Sequence, residues 1–446
     1  MAETSNIDVA ARIDQAPLGP LYYKVVGLCC MIALIEGFDL QVIAFTAPLI
    51  SAEWGISASA LSSVFALGLV GMMVGSLTLG PAGDKFGRKA VLIFAVFISG
   101  VFCLATTLAE NTTQLALYRF LTSIGLGGAI PNALAMVSEY SPARRRGAMV
   151  VAMSAGIPLG GALGGIIIAP WAEEAGWRVA YILGGIAPIV ASVILLLFLP
   201  ESIRFLTLRI DRARETARLL AQIDKTYTPS PNDVFQISTV NKQSRSSLTG
   251  LYADGRATGT LLLWAIFFGN LLMGYLLLSW LPSLLTQLDM GLEAAIIAAS
   301  MFNIGTILSG LLLGRLLDGS SPYRPVMVVY LFGAVSALLL GAFSTSGPLL
   351  YILVFLAGVG VGGPQLAMNA LASSYYPTAL RGTGLGAALG VGRVGAILGP
   401  LIGGGLLAVG FSGSMIFSFV ALPAIACAIC VAVLGVLVGK KPPSAP

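Results

Sequence analysis

The chain has 446 residues, of which 57% are hydrophobic and 10% are charged, and its formal net charge is +5. A water-soluble domain carries about 25% charged residues, so this composition excludes a chain of ordinary soluble domains and places most of its surface in lipid. The Lys and Arg residues lie between apolar stretches instead of forming a basic patch, and this excludes a nucleic-acid partner. The five cysteines lie inside apolar stretches as small hydrophobic residues, so no disulfide, metal or cofactor is predicted.

Twelve apolar stretches are long enough to cross a bilayer as helices, which takes about 20 residues each. We name them TM1 to TM12. The first six cover 24–49, 58–81, 89–109, 114–138, 147–170 and 177–199, and the second six cover 258–285, 291–316, 325–345, 348–372, 382–409 and 413–438. The prediction is an all-α integral membrane protein with an N-terminal six-helix bundle at 24–199 and a C-terminal one at 258–438.

Three polar segments lie outside the predicted bundles. They are an N-terminal tail at 1–23, a central loop at 200–257 and a C-terminal tail at 439–446. The central loop begins with a basic helical run at 209–225 and continues as a linker rich in Ser, Thr, Pro and Asn. Acidic residues interrupt the polar first 20 residues, so no cleavable signal is expected.

The positive charges predict the orientation. Of the 25 Lys and Arg residues, 22 fall on the side that carries both predicted tails. The loops on the other side hold acidic residues, namely Glu53, Glu110, Glu173, Glu174, Asp289 and Glu293. Because cytoplasmic loops retain Lys and Arg, we expect both termini in the cytoplasm and the chain in a bacterial cytoplasmic (inner) membrane.

The two halves repeat each other. Residues 118–147 align without gaps on residues 353–382, at an offset of 235 positions. The identical residues in the first half include Phe120, Leu121, Gly125, Gly127, Gly128, Ser138, Tyr140, Pro142, Arg146 and Gly147. The halves are therefore predicted to be pseudo-symmetric copies of one six-helix unit. Such repeats around a midplane site are typical of carriers that work by alternating access.

The run GPAGDKFGRK at 80–89 follows TM2. It sets an acid beside several bases in a short predicted loop, and its last glycine, Gly87, permits a tight turn. We expect a latch that joins helix ends without touching substrate. The second half has a degenerate form of this run, at 314–324. The predicted gating residues are Gly80, Asp84, Gly87, Arg88, Asp318 and Arg381.

This run resembles the signature loop of the major facilitator superfamily. Four further runs resemble the aromatic acid:proton symporter family within it: EGFDLQ at 36–41, RFLTSIGLGG at 119–128, PESIRF at 200–205 and GVGRVGAILGP at 390–400. The first run is more similar to members that carry 3-(3-hydroxyphenyl)propionate than to those that carry 4-hydroxybenzoate, which tend to have Asp in place of Glu36. Over 24–438 the resemblance implies the twelve-helix fold, a monomer, and proton-coupled uptake of a small aromatic carboxylic acid.

Three charged residues in the first bundle are candidates for proton coupling. Ionisable residues inside a span are costly and usually line the bundle interior. Glu36 and Asp39 share one face of TM1, and burial together with their mutual repulsion favours a proton on one of them. Arg119 in TM4 has the reach to pair with Asp39, and it occupies the place of the superfamily's helix-4 arginine. A structural ion pair without proton exchange is the alternative.

Arg393 is the candidate for substrate capture. It lies near the middle of TM11, where the first half has Pro158. A midplane arginine without a counterpart suits bidentate binding of a carboxylate. The alternative is a permanent ion pair with Glu36 or Asp39.

Four more residues complete the predicted substrate site. Asn270 in TM7 and Asn303 in TM8 lie near the midplane, where an amide binds a phenolic hydroxyl or joins two helices. Tyr275 and Trp280 of TM7 are more typical of aromatic residues at the membrane interface. The substrate-binding candidates are Arg393, Asn270, Asn303, Tyr275 and Gln41.

Four other functions compete with uptake, namely drug efflux, a membrane enzyme, a primary pump and a sensor. Drug-efflux carriers of the superfamily often have G-P-x-x-G-G in the fifth helix, whereas GIPLGG at 156–161 misplaces the proline. The chain has no histidine, no nucleophile with a base and no phosphate-binding loop, which argues against a membrane enzyme or a primary pump. A sensor would be expected to carry a soluble signalling domain. Uptake is the favoured interpretation, and proton-coupled efflux is the alternative.

Overall fold

A computed structural model describes residues 6–230, 232–236, 248–316, 322–343 and 347–439. Within these residues twelve helices are long and apolar enough to cross a membrane, which confirms the predicted spans. They are TM1 Pro20–Trp54, TM2 Ser62–Phe86, TM3 Arg88–Thr106, TM4 Thr112–Tyr140, TM5 Ala143–Ile168, TM6 Trp177–Phe198, TM7 Ala257–Thr286, TM8 Leu292–Leu316, TM9 Tyr323–Ala342, TM10 Pro348–Tyr375, TM11 Thr378–Ala408 and TM12 Gly413–Gly439.

The two bundles use equivalent glycines to pack equivalent helices. A Cβ atom at Gly71 of TM2 would lie 2.3 Å from the Phe120 carbonyl oxygen of TM4, and one at Gly305 of TM8 would lie 2.2 Å from that of Phe355 in TM10. Only glycine allows backbones to approach so closely. The sequence repeat is therefore also a repeat of helix contacts.

TM2 extends beyond its predicted end. The helix continues through Pro81 and Asp84 to Phe86, and only Gly87 leaves the helical conformation, with φ of +99°. The expectation of a loop from Gly80 onward was wrong. The reason is packing on TM4, because the Asn132 side chain donates a hydrogen bond to the Leu79 carbonyl at 2.9 Å. The predicted tight turn is a single glycine.

The N-terminal segment is folded, which its polar sequence did not predict. Strand β1 (Asn6–Asp8) pairs in parallel with β2 (Val234–Gln236) of the central loop. The helix Val9–Gln15 follows and is capped by the Asp8 side chain. In the central loop, the predicted basic helix is present as Ala213–Ile223.

Two sets of contacts attach this segment to the first bundle. Arg12 forms an ion pair with Asp224 at 3.0 Å, and hydrogen bonds from Thr226 and then from Arg12 lower the pKa of that carboxyl. Asp14 accepts a hydrogen bond from the Ala143 amide at the start of TM5, at 2.7 Å. The segment therefore connects the central loop to TM5.

The bundles touch each other at one end of the membrane helices. We call the side where TM1 begins and TM12 ends the tail side, and the opposite side the distal side. Near the distal side, the rings of Phe65 in TM2 and Trp280 in TM7 lie 5.1 Å apart. Gly165 of TM5 faces Ser300 of TM8 so closely that a Cβ would lie 2.2 Å from the hydroxyl oxygen. These contacts close the distal side.

One face of TM11 shows where the bundles separate. Gly386, Gly390, Arg393, Ile397 and Gly404 follow each other on it at helical spacing. Ile397 and Gly404 lie against TM2 of the other bundle. The tail-side glycines Gly386 and Gly390 face open space, with no other atom within 4 Å of a Cβ built there. A cleft between the bundles therefore opens to the tail side.

Candidate functional site

Arg393 lies where the open cleft ends. Its side chain is partly exposed, and it forms no salt bridge within the part of the chain that the structure describes. It interacts electrostatically with Glu36 of TM1 and with Tyr275 of TM7. The site thus combines a cation, a carboxyl group and a phenol from three helices and both bundles.

Glu36 is buried without a hydrogen bond at one of its oxygens. It is 4% exposed, and its Oε2 has no partner among the described residues. A buried carboxylate without a partner is costly, and a proton or a nearby cation relieves that cost. The position suits a group that gains and loses a proton.

Asp39 is held differently, although it is one helical turn away. Arg119 donates to both carboxylate oxygens, at 2.7 and 2.8 Å, and to the Asp39 backbone carbonyl at 2.9 Å. Both side chains are 4% exposed. The contact that the sequence predicted is therefore present, as a bidentate pair within the first bundle.

Gln41 and Asn303 come together across the two bundles. A Cβ atom at Gly161 of TM5 would lie 2.9 Å from Cγ of Gln41 and 3.3 Å from Nδ2 of Asn303. Both amides are 4% exposed, and Asn303 donates to the Ala299 carbonyl of its own helix at 3.2 Å. Gly161 therefore makes room for two polar side chains at the contact between the bundles.

Asn270 is bonded to TM10 of its own bundle. It is fully buried, and its amide donates to the Val361 carbonyl of TM10 at 3.1 Å. Val361 lies in a π-helical turn, Gly358–Gly362, that interrupts TM10. This placement fits the helix-joining role of the two roles considered for Asn270.

The expectation that Tyr275 and Trp280 lie at the membrane interface was wrong. Trp280 is 0% exposed, and its indole donates to the Pro400 carbonyl of TM11 at 3.0 Å. Tyr275 is half-buried and packs near Leu40 of TM1 and Leu69 of TM2. Contacts between helices and bundles thus override a pattern that is typical of lipid-facing helices.

The latch residues form a network at the tail side of the first bundle. Arg88 contacts Asp84 at 2.8 Å and Glu139 of TM4 at 2.9 Å. Glu139 also accepts a hydrogen bond from Ser202, which follows TM6. The network joins TM2, TM3, TM4 and the chain after TM6. Glu139 and Ser202 had no predicted gating role, although Ser202 belongs to the run at 200–205 that carried part of the family resemblance.

Glu201 completes the turn at Gly87. Its carboxylate accepts a hydrogen bond from the Lys89 amide at 3.0 Å. A Cβ atom at Gly87 would lie 2.5 Å from the other carboxylate oxygen. Glycine is therefore required there both by its positive φ and by the neighbouring carboxylate.

The second half has fewer described contacts at its gating residues. Asp318 lies outside the described residues. Arg381 is exposed at the start of TM11, whereas its counterpart Arg146 donates to the Ser138 carbonyl at 3.0 Å. No group of three or more His, Cys, Asp or Glu side chains among the described residues could hold a metal ion.

The Major Facilitator Superfamily profile matches residues 29–318 and, in a second match, residues 263–446. The chain belongs to this superfamily. It is a membrane transporter and not an enzyme.

Several characterised transporters are similar to it over nearly the whole chain. The 4-hydroxybenzoate transporter of Pseudomonas aeruginosa is 38% identical, over 94% of this chain and 94% of its own length. The gallate transporter of Pseudomonas putida is 37% identical, over 95% and 94%. The 3-(3-hydroxy-phenyl)propionate transporter of Escherichia coli is 34% identical, over 86% and 87%. Of these, the 4-hydroxybenzoate transporter is more similar to this chain over its whole length than the phenylpropionate transporter.

Solved structures have the same fold. The xylose transporter of Escherichia coli in its inward open conformation has a TM-score of 0.69 at 18% identity, covering 92% of this chain and 95% of the transporter. A bacterial homologue of the lysosomal transporter Spinster, in an inward-facing and occupied conformation, has a TM-score of 0.68 at 15% identity, covering 96% and 100%.

Proposed function

We propose that this chain takes up a small aromatic carboxylic acid together with a proton, by alternating access, as a monomer in a bacterial cytoplasmic membrane. The characterised relatives support an aromatic acid as substrate. The observation that carries the proposal is the guanidinium group of Arg393, which faces the cleft without a salt bridge among the described residues. A cation in that position is available to an anionic ligand.

The substrate carboxylate binds Arg393, and the ring lies beside Tyr275. The planar guanidinium fork fits a carboxylate in bidentate geometry, and Tyr275 offers both an aromatic face and a hydroxyl. Gln41 and Asn303 provide polar contacts for ring substituents near the contact between the bundles. Asn270 supports this arrangement indirectly, through TM10.

Glu36 couples the proton to the substrate. Without substrate, Arg393 is the cation that interacts with Glu36. A substrate carboxylate on Arg393 brings a second negative charge close to Glu36, so a proton on Glu36 becomes more favourable. By linkage, the proton favours substrate binding to the same extent. The Asp39–Arg119 pair is the second element of the coupling, because it fixes the charge beside Glu36.

The proton also offsets an electrical cost. A bare carboxylate that enters a cell with an inside-negative potential works against about 2.3 kcal/mol per 100 mV. An accompanying proton removes this term. The distribution of basic residues favours a cytoplasmic tail side, so substrate leaves from the conformation with the open cleft. Return to the distal-open state requires separation of Phe65 from Trp280 and of Gly165 from Ser300.

Uptake into proteoliposomes tests the proposal. Labelled benzoates, phenylpropionates and cinnamates are offered with and without an inward proton gradient. We expect accumulation of at least one of these acids that collapses with a protonophore and alkalinises the external medium. Accumulation that persists without the proton gradient, or that follows sodium, would contradict proton coupling. Proton-driven export from preloaded vesicles would support the efflux alternative.

A further inference from the structure

We propose that Tyr181 of TM6 is a positioning residue for the Asp39–Arg119 pair, and that it sets the pH dependence of transport through this pair. The inference rests on the proposed proton coupling. Tyr181 is 0% exposed, and its ring lies 5.9 Å from the guanidinium carbon of Arg119. Nothing in the sequence marked it, because a tyrosine near the end of a span is typical of the membrane interface.

The ring and the carboxylate hold Arg119 from two directions. Asp39 binds two guanidinium nitrogens in bidentate geometry, while the ring of Tyr181 approaches the group as an aromatic neighbour of a cation. A desolvated contact of this kind is favourable and depends on geometry.

The hydroxyl group of Tyr181 holds the ring in place through a hydrogen bond to Thr46 and not through a bond to the ion pair. Thr46 of TM1 has one hydroxyl proton, which it donates to the Val42 carbonyl at 2.8 Å. Thr46 must therefore accept in its contact with the Tyr181 hydroxyl, at 3.2 Å, and Tyr181 must donate. The phenol is anchored to TM1, the helix that carries Asp39.

A second aromatic residue anchors the ring from the distal side. Trp177 packs edge to face on Tyr181, with centroids 5.7 Å apart. Its indole donates to Glu53 at 2.8 Å, and Glu53 also pairs with Arg178 at 2.7 Å. A continuous set of contacts thus leads from the distal ends of TM1 and TM6 to Arg119.

Among the described residues, three titratable groups interact with the pair, namely Glu36 on TM1, Cys103 on TM3 and Tyr181 itself on TM6. Arg393 of TM11 interacts with Glu36 in turn. If the ring is removed, Arg119 gains room to leave the bidentate geometry. When the guanidinium group moves away from the carboxylate, less positive charge lies near Glu36, and a proton on Glu36 becomes more favourable. The pH at which coupling is half-maximal should then rise.

The test compares variants with and without the ring. Tyr181→Leu removes it, Tyr181→Phe removes only the anchor to Thr46, and Trp177→Phe loosens the ring from outside. Tyr330→Leu is the matched control, since Tyr330 is a fully buried tyrosine of TM9 whose hydroxyl contacts only Met368 among the described residues. Proton-driven uptake is measured against pH in proteoliposomes, beside substrate exchange, which needs no net proton movement.

We expect Tyr181→Leu to raise the pH midpoint of uptake by about 0.5–1 unit, with exchange less affected than uptake. Tyr181→Phe and Trp177→Phe should shift it in the same direction by less, and Tyr330→Leu should leave it unchanged. A wild-type midpoint in Tyr181→Leu overturns the proposal, as does an equal shift in Tyr330→Leu. If Tyr181→Leu does not fold, the pH midpoint of Trp177→Phe is the test, and a wild-type midpoint in that variant overturns the proposal.

Thermal unfolding against pH separates this inference from the proposed function. If the wild-type protein takes up no aromatic acid, the proposed function fails. The pH dependence of unfolding then tests the positioning role of Tyr181 by itself, because it reports protonation of the buried groups without any transport. We expect the midpoint of the unfolding-versus-pH profile to be higher in Tyr181→Leu than in the wild type. Identical profiles for the two proteins would overturn the positioning role.

Discussion

The two bundles share their packing but differ in what they do with charge. In the first bundle, TM4 is a continuous helix whose Arg119 is bound to Asp39. In the second, the aligned position is Val354, and TM10 is interrupted by a π-helical turn. The second bundle instead places Arg393, which is partly exposed, on the face of TM11 that lines the cleft. Duplication preserved the glycine contacts, while the buried charges diverged. The first bundle holds an ion pair within itself, and the second bundle presents a cation that is available to a ligand.

The largest expected effect follows from breaking the internal pair. Arg119→Leu leaves Asp39 buried without its partner, and the loss of one partner of a buried pair costs about 3–5 kcal/mol. We expect a corresponding loss in the free energy of unfolding in detergent. The double variant Asp39→Asn, Arg119→Leu should recover most of it. Val354→Ala, the matched change in TM10, should cost less, and an equal cost would mean that the bundles do not differ as described.

Arg393 should show the opposite pattern, with a large effect on ligand and a small one on stability. Loss of one partner from a buried charge pair typically costs about 2–5 kcal/mol of binding, so Arg393→Ala should weaken substrate binding about 30-fold or more. Arg393→Lys should not restore it, because lysine lacks the planar fork. Calorimetric titration with an aromatic acid and with its amide provides the measurement.

Two outcomes would assign Arg393 a different role. Equal losses for the acid and the amide would remove it from the carboxylate site. Recovery of acid binding in the double variant Glu36→Gln, Arg393→Ala would mean that Arg393 only neutralises Glu36. We expect no recovery.

Asn270 should have a smaller effect. It contributes one hydrogen bond between TM7 and TM10, and such a bond contributes about 1 kcal/mol to stability. Asn270→Leu should lower the unfolding free energy by about that amount and leave the affinities for hydroxylated and unsubstituted benzoates in an unchanged ratio. Selective loss of the hydroxylated ligand would return Asn270 to the substrate site.

The smallest effect on binding is expected at the latch. The Asp84 side chain is 72% exposed, so its ion pair with Arg88 contributes little to stability. Asp84→Asn should slow turnover and leave equilibrium binding within about a few fold. Binding assays beside initial uptake rates check this. Complete loss of binding in a folded, well-expressed variant would show that the latch reaches the substrate site.

Long-range patterns in the sequence predicted the fold well. Hydrophobic stretches of membrane length identify the twelve helices, and the gapless repeat indicates that TM4 and TM10 are equivalent. The Asp39–Arg119 contact was also predictable, since two opposite charges inside lipid-exposed spans have few other ways to be neutralised.

Local details of the site were harder to predict from the sequence. The side on which Asn270 lies depends on the rotation of TM7, and an amide near the midplane fits either side. Trp280 and Tyr181 look like interface aromatics because position along the span is all that the sequence reveals. The docked N-terminal segment was missed because a strand of three residues and a helix of seven are too short to show a periodic pattern.

That segment also has a consequence for biosynthesis. A chain emerges from the ribosome in order from its N-terminal end, so the strand Asn6–Asp8 is made before TM1. Its partner Val234–Gln236 follows TM6. The strand therefore remains unpaired until all six helices of the first bundle have been synthesised. Closure of this small sheet marks the completion of one bundle before most of the other exists, and a fusion or truncation at the N-terminus would disturb assembly at that step.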